Sequence, residues 1–194
     1  MKLYYARGAC SLADRICLHE AGLPATFERV DIKSKITETG VDFLTINPKG
    51  YVPTLILDDG ETLTENVAVL SWIANQAPAL VPTGILGPIR LLEALAFIAS
   101  EIHHGFNPLF HDGSAEARAE ARSATARRLA LMAATIKGPY LFGTTFTPAD
   151  AYLFVALRWA RQFLVPVATS LDDYFRHVLE RDSVRAALAE ESLT

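Results

Sequence analysis

Hydrophobic and polar positions follow two different patterns along the 194 residues of the chain. Up to about residue 76, short apolar runs bounded by turn residues are typical of strands, and apolar-periodic segments at 11–21 and 65–76 are typical of helices. The predicted strands are Lys2–Tyr5, Thr26–Asp31, 54–57 and 61–64. This order is βαβ followed by ββα, and the first two strands are expected to be parallel because a helix connects them.

Beyond that point the chain contains only helical patterns. Proline and glycine concentrate at 78–88 and mark a linker, and helical segments follow at 89–110, 116–137, 149–163, 171–181 and 183–189. We therefore predict an α/β domain with the thioredoxin-like element order at residues 1–77 and an all-helical bundle domain at 89–194. The segment 32–46 is expected to be a loop with an irregular helix.

One helix start has a complete capping signal. Thr147 is followed by Pro148 at the first helical position and by Asp150, which is placed to reach back as in a capping box. The helix that starts here is apolar on most sides, so it is expected to be the buried centre of the helical domain. Asp150 is therefore interpreted as a structural residue rather than a catalytic one.

Composition excludes several classes of protein. Apolar residues make up 51% of the chain, which is typical of a folded globular protein, and the net charge of -4 gives no electrostatic reason to expect nucleic acid or an anionic membrane as partner. No apolar run is long enough to span a bilayer and no leader precedes the first strand, so we expect a cytoplasmic protein. Two cysteines are too few for a disulfide framework, and no metal site is expected.

The loop at 47–54 and the helix start that follows it are the first candidate for ligand binding. Pro53 precedes a strand directly, and a cis Val52–Pro53 bond would leave the Val52 backbone groups free to face a ligand. Glu65 and Asn66 open the next helix, whose N-terminal N–H groups favour a carboxylate.

Cys10 is the sharpest candidate for chemistry. It lies at the start of a predicted helix, where the partial positive charge favours the thiolate over the thiol. The alternative is a small buried hydrophobic residue, the commoner role of a free cysteine. Ala13 occupies the place of the second cysteine of a CxxC pair, so any redox chemistry would use a single thiol, and Cys17 is assigned to the core.

Two adjacent histidines lie near an apolar stripe at helical spacing. His103 borders this stripe and His104 falls on its flank. The stripe consists of Ile89, Leu92, Ala96, Ala99 and Phe106. A histidine beside an apolar face is more often a satisfied structural residue than a catalytic one, and adjacent histidines diverge on a helix, which disfavours a metal site.

These motifs together resemble the glutathione S-transferase family. The resemblance rests on Gly-Ala-Cys-Ser at 8–11, on Asn-Pro-Lys-Gly-Tyr-Val-Pro-Thr at 47–54 with the Thr-Glu-Asn that follows at 64–66, and on Phe-Thr-Pro-Ala-Asp at 146–150. The cysteine at position 10 makes the bacterial beta class the most similar, and the resemblance covers essentially the whole chain. It implies glutathione as co-substrate and a homodimer.

The resemblance also implies roles for individual residues. Cys10 and His103 would be catalytic, with the histidine near the glutathione sulfur and His104 as the alternative. The implied glutathione-binding residues are Ala9, Lys35, Val52, Pro53, Glu65, Asn66, Ser100, Glu101 and His104. Of these, Ser100 and Glu101 would reach the glutathione of the partner subunit. Ser11 and Tyr5 are the second and third choices for the residue that stabilises the glutathione thiolate.

The implied activity is the conjugation of glutathione to small hydrophobic electrophiles, a detoxification reaction, with thiol–disulfide exchange through Cys10 as a further possibility. The helical domain would line the electrophile site through residues such as Phe106 and Phe110. Two alternatives remain open: a non-catalytic protein of the same fold that acts through protein contacts, and a glutathione-dependent isomerase or dehalogenase.

Overall fold

The computed structural model describes residues 1–111 and 113–193. It divides into two compact units, Met1–Pro78 together with Asp182–Thr194, and Ala79–Arg181. Among the described residues, no helix has both the length and the apolar character needed to cross a membrane.

The first unit is built on a five-stranded mixed sheet of order β3-β2-β1-β4-β5. Its strands are β1 (Lys2–Tyr5), β2 (Thr26–Asp31), β3 (Ile36–Thr37), β4 (Thr54–Ile56) and β5 (Thr62–Thr64). The parallel pairing of β1 with β2 that the sequence predicts is confirmed, and the remaining pairs are antiparallel. The central strand is the most buried, with Leu3 opposite Leu55 on β4.

Three helices complete this unit: α1 (Ser11–Glu20), α2 (Asn66–Gln76) and α8 (Asp182–Glu190). The apolar side of α1 is fully buried through Leu12, Ile16 and Cys17, which confirms the core assignment of the second cysteine. Between β2 and β4 the chain forms the short strand β3 and a 3₁₀ turn at Phe43–Thr45, where the sequence predicts a loop with an irregular helix.

The last helix packs with the first unit, although the sequence-based division places it in the helical domain at 89–194. Helix α8 contacts α1 and buries Val184, Ala187 and Leu188. Arg15 on α1 forms an ion pair with Glu190 on α8 at 2.9 Å. A contact between residues so distant in sequence leaves no local pattern. A division based on helical periodicity alone therefore groups α8 with the helices that precede it in the chain.

The second unit is helical, as predicted. Its helices are α3 (Gly87–Phe97), a π-helical segment (Ile98–His103), α4 (Asn107–Phe110), α5 (Ala115–Ala133), α6 (Pro148–Gln162) and α7 (Thr169–Leu179). Helix α6 is buried along most of its length, and the predicted capping box is confirmed, with the Thr147 N–H donating to Asp150 Oδ2 at 2.8 Å. Asp150 also accepts from Leu141 N and from the Tyr174 hydroxyl.

The first part of the predicted apolar stripe of the 89–110 segment is wrong in phase, whereas Phe106 is buried as predicted. Ile89 and Leu92 are 60% and 45% exposed. The buried side consists of Leu91, Leu95, Ile98, Ile102 and Phe106. Apolar residues occur on both sides of this helix, so periodicity could not distinguish the side that packs in the core from the side that faces outward.

Candidate active site

The loop that precedes β4 is held by its own side chains. The Asn47 amide nitrogen donates to the carbonyl of Tyr51 and to Thr54 Oγ1, both at 2.9 Å. The Val52–Pro53 peptide bond is cis, as the sequence analysis suggests. The loop therefore presents Val52 in a defined conformation at the entrance to the strand.

Cys10 lies against this loop. It is the N-cap residue of α1, and its Sγ is 3.6 Å from the carbonyl oxygen of Val52. The structure thus brings together two predicted site residues that are 42 positions apart in sequence. Its side chain is largely buried, with the residue 8% exposed.

The protonation of Cys10 differs from the expectation based on the helix N-terminus. Burial, followed by the charge of Asp14, raises the pKa of the Cys10 thiol to about 12. Desolvation disfavours the thiolate more than the backbone N–H groups of the helix start favour it. At neutral pH the ligand-free form of Cys10 is therefore the thiol. The prediction that the helix N-terminus keeps Cys10 as a thiolate is wrong for this form.

The two alternative thiolate-stabilising residues are engaged elsewhere. The Ser11 hydroxyl is buried and accepts from the backbone N–H of Ala6 at 3.2 Å, so it neither caps α1 nor faces outward. Tyr5 is also buried, with its ring 4.1 Å from the guanidinium carbon of Arg15. Both residues serve the packing of the first unit, and Cys10 keeps the first place among the candidates.

Glu65 and Asn66 differ in their surroundings. Glu65 is exposed, has a φ of +70° and forms an ion pair with Lys49 at 2.7 Å. Asn66 opens α2 and is only 8% exposed, yet neither its amide nitrogen nor its amide oxygen has a hydrogen-bond partner among the described residues. A buried amide without partners costs about 1–3 kcal/mol, so the described fold gives no account of this side chain.

Lys35 supports the loop rather than extending away from it. Its ammonium group donates to the Gly50 carbonyl at 2.8 Å, and its φ is +61°. Positive φ at non-glycine residues is uncommon and clusters at ligand sites. Lys35 and Glu65 share this feature, and both are predicted glutathione ligands.

The C-terminal segment supports the turn before Cys10, a contribution that sequence analysis missed. The Gly8 N–H donates to Glu191 Oε2 at 2.8 Å, and Arg7 Nε donates to the Glu191 carbonyl at 2.8 Å. Gly8 has a φ of +68°, which suits glycine at this turn. Ala9 follows and donates its N–H to the Ala6 carbonyl at 3.0 Å, which closes the turn. No local motif signals the role of Glu191.

The predicted catalytic histidine lies in the second unit. His103 Nδ1 is 2.7 Å from the Tyr152 hydroxyl oxygen, and its ring centroid is 4.7 Å from that of Trp159. Burial lowers the pKa of His103 to about 4, so the ring is neutral at physiological pH. His104 is exposed and lies 3.2 Å from the Asn107 amide through Nδ1.

The other predicted residues of this unit have partners within it. Ser100 Oγ donates to the Ala96 carbonyl at 2.9 Å, and Glu101 pairs with Arg128 at 2.9 Å. Phe106 is fully buried, which excludes it from lining an open electrophile site, whereas Phe110 is 40% exposed. Within the described ranges, no group of three or more His, Cys, Asp or Glu side chains is arranged to hold a metal ion.

Family models match both parts of the chain. Residues 9–76 match the model described as "Glutathione S-transferase, N-terminal domain", and residues 97–182 match "Glutathione S-transferase, C-terminal domain". These ranges contain Cys10, the loop before β4 and the π-helical segment.

Similar proteins cover the full chain. Glutathione S-transferase GstA of Escherichia coli O157:H7 is 38% identical, with 100% of each chain covered. A sphingomonad glutathione S-transferase, solved in complex with glutathione, is 43% identical with a TM-score of 0.92, again with 100% of each chain covered. The bacterial beta-class glutathione S-transferase of Sphingomonas chungbukensis is 44% identical with a TM-score of 0.91 and the same coverage.

An isomerase of the same fold is more distant. The maleylpyruvate isomerase of a Ralstonia species is 31% identical over 85% of this chain and 84% of its own length. Identity and coverage both favour the transferases over the isomerase. The chain therefore belongs to the glutathione S-transferase family of enzymes, and it is most like the bacterial beta class.

Proposed function

We propose that this enzyme conjugates glutathione to small hydrophobic electrophiles, with thiol–disulfide exchange at Cys10 as a second reaction. The observation that carries the proposal is the contact between the Cys10 sulfur and the Val52 carbonyl beside the cis Pro53. A thiol at a helix start next to the half-buried backbone of Val52 suits a ligand that carries both a peptide backbone and a sulfur atom.

The γ-glutamyl end of glutathione carries an ammonium group and a carboxylate, and the start of α2 offers a partner for each. Glu65 supplies a carboxylate for the ammonium group of glutathione. This ammonium group would compete with that of Lys49, which pairs with the Glu65 carboxylate. Asn66 and the N-terminal N–H groups of α2 suit the carboxylate, because α2 begins at Asn66. Lys35 stays a predicted partner of the glycyl carboxylate.

Cys10 acts on the glutathione sulfur in this proposal. As a thiol, it donates an S–H hydrogen bond to the glutathione thiolate, which favours the charged form of the co-substrate. In the exchange reaction, its thiolate would attack a disulfide instead. A neutral His103 near the glutathione sulfur stays a prediction; it is tested by the dependence of the glutathione KM and kcat on His103→Gln, with His104→Gln as the matched variant.

We further propose that the protein is a homodimer. Helix α3 exposes Ile89 and Leu92, whose spacing places them on one side of the helix, and the turn before it exposes Ile85 and Leu86. Such a row of exposed large apolar residues is typical of an interface. Ile89→Glu combined with Leu92→Glu is expected to halve the mass measured by light scattering, whereas Leu131→Glu on α5, where Leu131 is also exposed, should leave it unchanged. A monomeric wild type would refute the dimer.

The activity is tested with purified protein, glutathione and 1-chloro-2,4-dinitrobenzene, with conjugate formation followed by absorbance. Turnover in the wild type and a reduced rate in Cys10→Ala are expected, with Cys17→Ala as the matched control. Intact mass after incubation with oxidised glutathione should show one reducible adduct that Cys10→Ala lacks. Absence of glutathione binding would instead support a non-catalytic protein, and turnover of maleylpyruvate but not of the dinitrobenzene would support an isomerase. The cytoplasmic location stays a prediction that cell fractionation tests.

A further inference from the structure

A buried carboxyl group lies one helical turn beyond Cys10. Asp14 on α1 is 0% exposed, and neither of its carboxylate oxygens has a hydrogen-bond partner in the described part of the chain. The spacing of four residues places Asp14 on the same side of the helix as Cys10, and side chains in a helix lean toward its N-terminus. The carboxyl group is therefore directed toward the Cys10 turn.

In the part of the chain that the structure describes, no cation forms a hydrogen bond with this carboxyl group. Arg15, the next residue on α1, stacks against Phe27 at 4.0 Å and pairs with Glu190 of α8. The other acid on that side, Glu191, also pairs with Arg15. His19 pairs with Glu190 as well.

Within the described residues, the other elements packed on α1 give Asp14 no hydrogen-bonding cation either, and Lys2 on β1 pairs with Glu28 instead. At the start of α2, the charge of Glu65 raises the pKa of the Cys10 thiol in the same direction as Asp14. Strand β1 presents Tyr5, which stacks on Arg15. The packing of the fold therefore gives no reason for an acid at position 14, because an unpaired buried carboxyl group is costly.

We propose that Asp14 determines the chemistry of Cys10, because its ionised carboxylate opposes the formation of the Cys10 thiolate and so keeps the sulfur as a hydrogen-bond donor rather than a nucleophile. This inference rests on the proposed function and decides between its two reactions. Conjugation needs a Cys10 thiol beside the glutathione thiolate, whereas exchange needs a Cys10 thiolate. Once ionised, Asp14 therefore favours conjugation and restrains exchange.

The restraint depends on pH in a defined way. Burial raises the pKa of the Asp14 carboxyl well above its ordinary value, so the group is neutral at low pH and does not affect the thiol there. Once Asp14 ionises, two negative charges would have to coexist in a buried site, and the two groups titrate as a coupled pair. Thiolate formation in the wild type should therefore level off over the pH range in which Asp14 loses its proton.

The test compares the wild type with Asp14→Asn, which keeps the shape of the side chain and cannot carry the charge. The rate of Cys10 alkylation by iodoacetamide is measured from pH 5 to 10 by intact mass, with Cys10→Ala as the blank. The alkylation rates of the two proteins should coincide at low pH and diverge as the pH rises, until Asp14→Asn reacts at least tenfold faster. The rate of Asp14→Asn should rise continuously with pH, without the level range expected for the wild type. Glu20→Gln, an acid at the far end of the same helix, should behave as the wild type does.

Two outcomes overturn the proposal. Equal rates at every pH would show that Asp14 does not act on the sulfur, and a slower Asp14→Asn would make the carboxylate a proton acceptor that promotes the reaction. If Asp14→Asn does not fold, Asp14→Ser serves as the neutral variant. The wild type alone also tests the proposal. Its thiolate absorbance at 240 nm, measured against the Cys10→Ala baseline, should rise in two steps as the pH increases.

Exchange with oxidised glutathione then tests the consequence. The Cys10 thiolate attacks one sulfur of the disulfide, the S–S bond breaks, and the second glutathione leaves as a thiolate that takes a proton from water. Asp14→Asn should form this mixed disulfide at least tenfold faster at pH 9. Alkylation needs no glutathione, so a failure of glutathione conjugation in the wild type and a failure of the alkylation result are separate observations.

Discussion

Glu191 gives the sharpest prediction about the support of the active-site turn. Its carboxylate is almost fully buried, accepts from the Gly8 N–H at 2.8 Å and lies 3.4 Å from Arg15 Nε. Glu191→Ala removes both interactions. Because Gly8 is two residues before Cys10, the loss should reach the reactive sulfur as well as the stability of the first unit.

The magnitude follows from these two contacts. A hydrogen bond to a charged group contributes about 1.5–3 kcal/mol to the free energy of unfolding. Removal of one partner of a buried ion pair costs about 3–5 kcal/mol, but Arg15 retains Glu190 at 2.9 Å, so that range is an upper limit. We therefore expect Glu191→Ala to lower the free energy of unfolding by about 3 kcal/mol.

Glu190→Ala is the matched control. Its side chain is 40% exposed and pairs with the same arginine, and a partly exposed pair contributes only about 0–1 kcal/mol. Urea unfolding is followed by the fluorescence of Trp72 on α2, with Trp159 replaced by Phe so that only the first unit reports. Equal urea midpoints for Glu191→Ala and Glu190→Ala would refute the supporting role of Glu191.

Three further predictions concern other residues. Asn66→Leu should weaken glutathione binding about tenfold, which is the loss of roughly one hydrogen bond, as measured by isothermal titration. The urea midpoint should not fall, because the Asn66 amide has no hydrogen-bond partner among the described residues. Asp150→Asn should lower the free energy of unfolding of the second unit by about 2–4 kcal/mol. The reason is that one Asp150 carboxylate oxygen accepts from both Leu141 and Tyr174, and the other accepts from Thr147. The control, Asp172→Asn, affects a partly exposed ion pair and should stay within about 1 kcal/mol of the wild type. The pKa of His103 is about 4 in the folded chain and about 6.5 in the unfolded chain, so the unfolded state binds the proton first as the pH falls. The free energy of unfolding should therefore decrease as the pH drops from 6.5 to about 4 and level off below that. His103→Gln should show a smaller decrease over the same pH range.

The sequence predicted four of the five strands, the parallel β1–β2 pair and the helical second part because each depends on local patterns. Turn residues, strand-length apolar runs and the Thr147 capping box act within a few residues of one another. The same holds for the cis bond at Pro53 and for the position of Cys10 at a helix start. The resemblance to glutathione S-transferases is likewise written in short motifs, and the family models match the residues that contain them.

The tertiary structure decided what depends on burial and on distant contacts. The sequence places Cys10 at a helix N-terminus, where a thiolate is favoured, but the surrounding loop and helices remove water from the sulfur and reverse the direction of its pKa shift. The partner of the Gly8 turn, Glu191, lies at the other end of the chain. Which side of α3 is buried depended on the helices packed against it, since both sides carry apolar residues. Desolvation and long-range packing are properties of the folded chain, and no local pattern of residues encodes them.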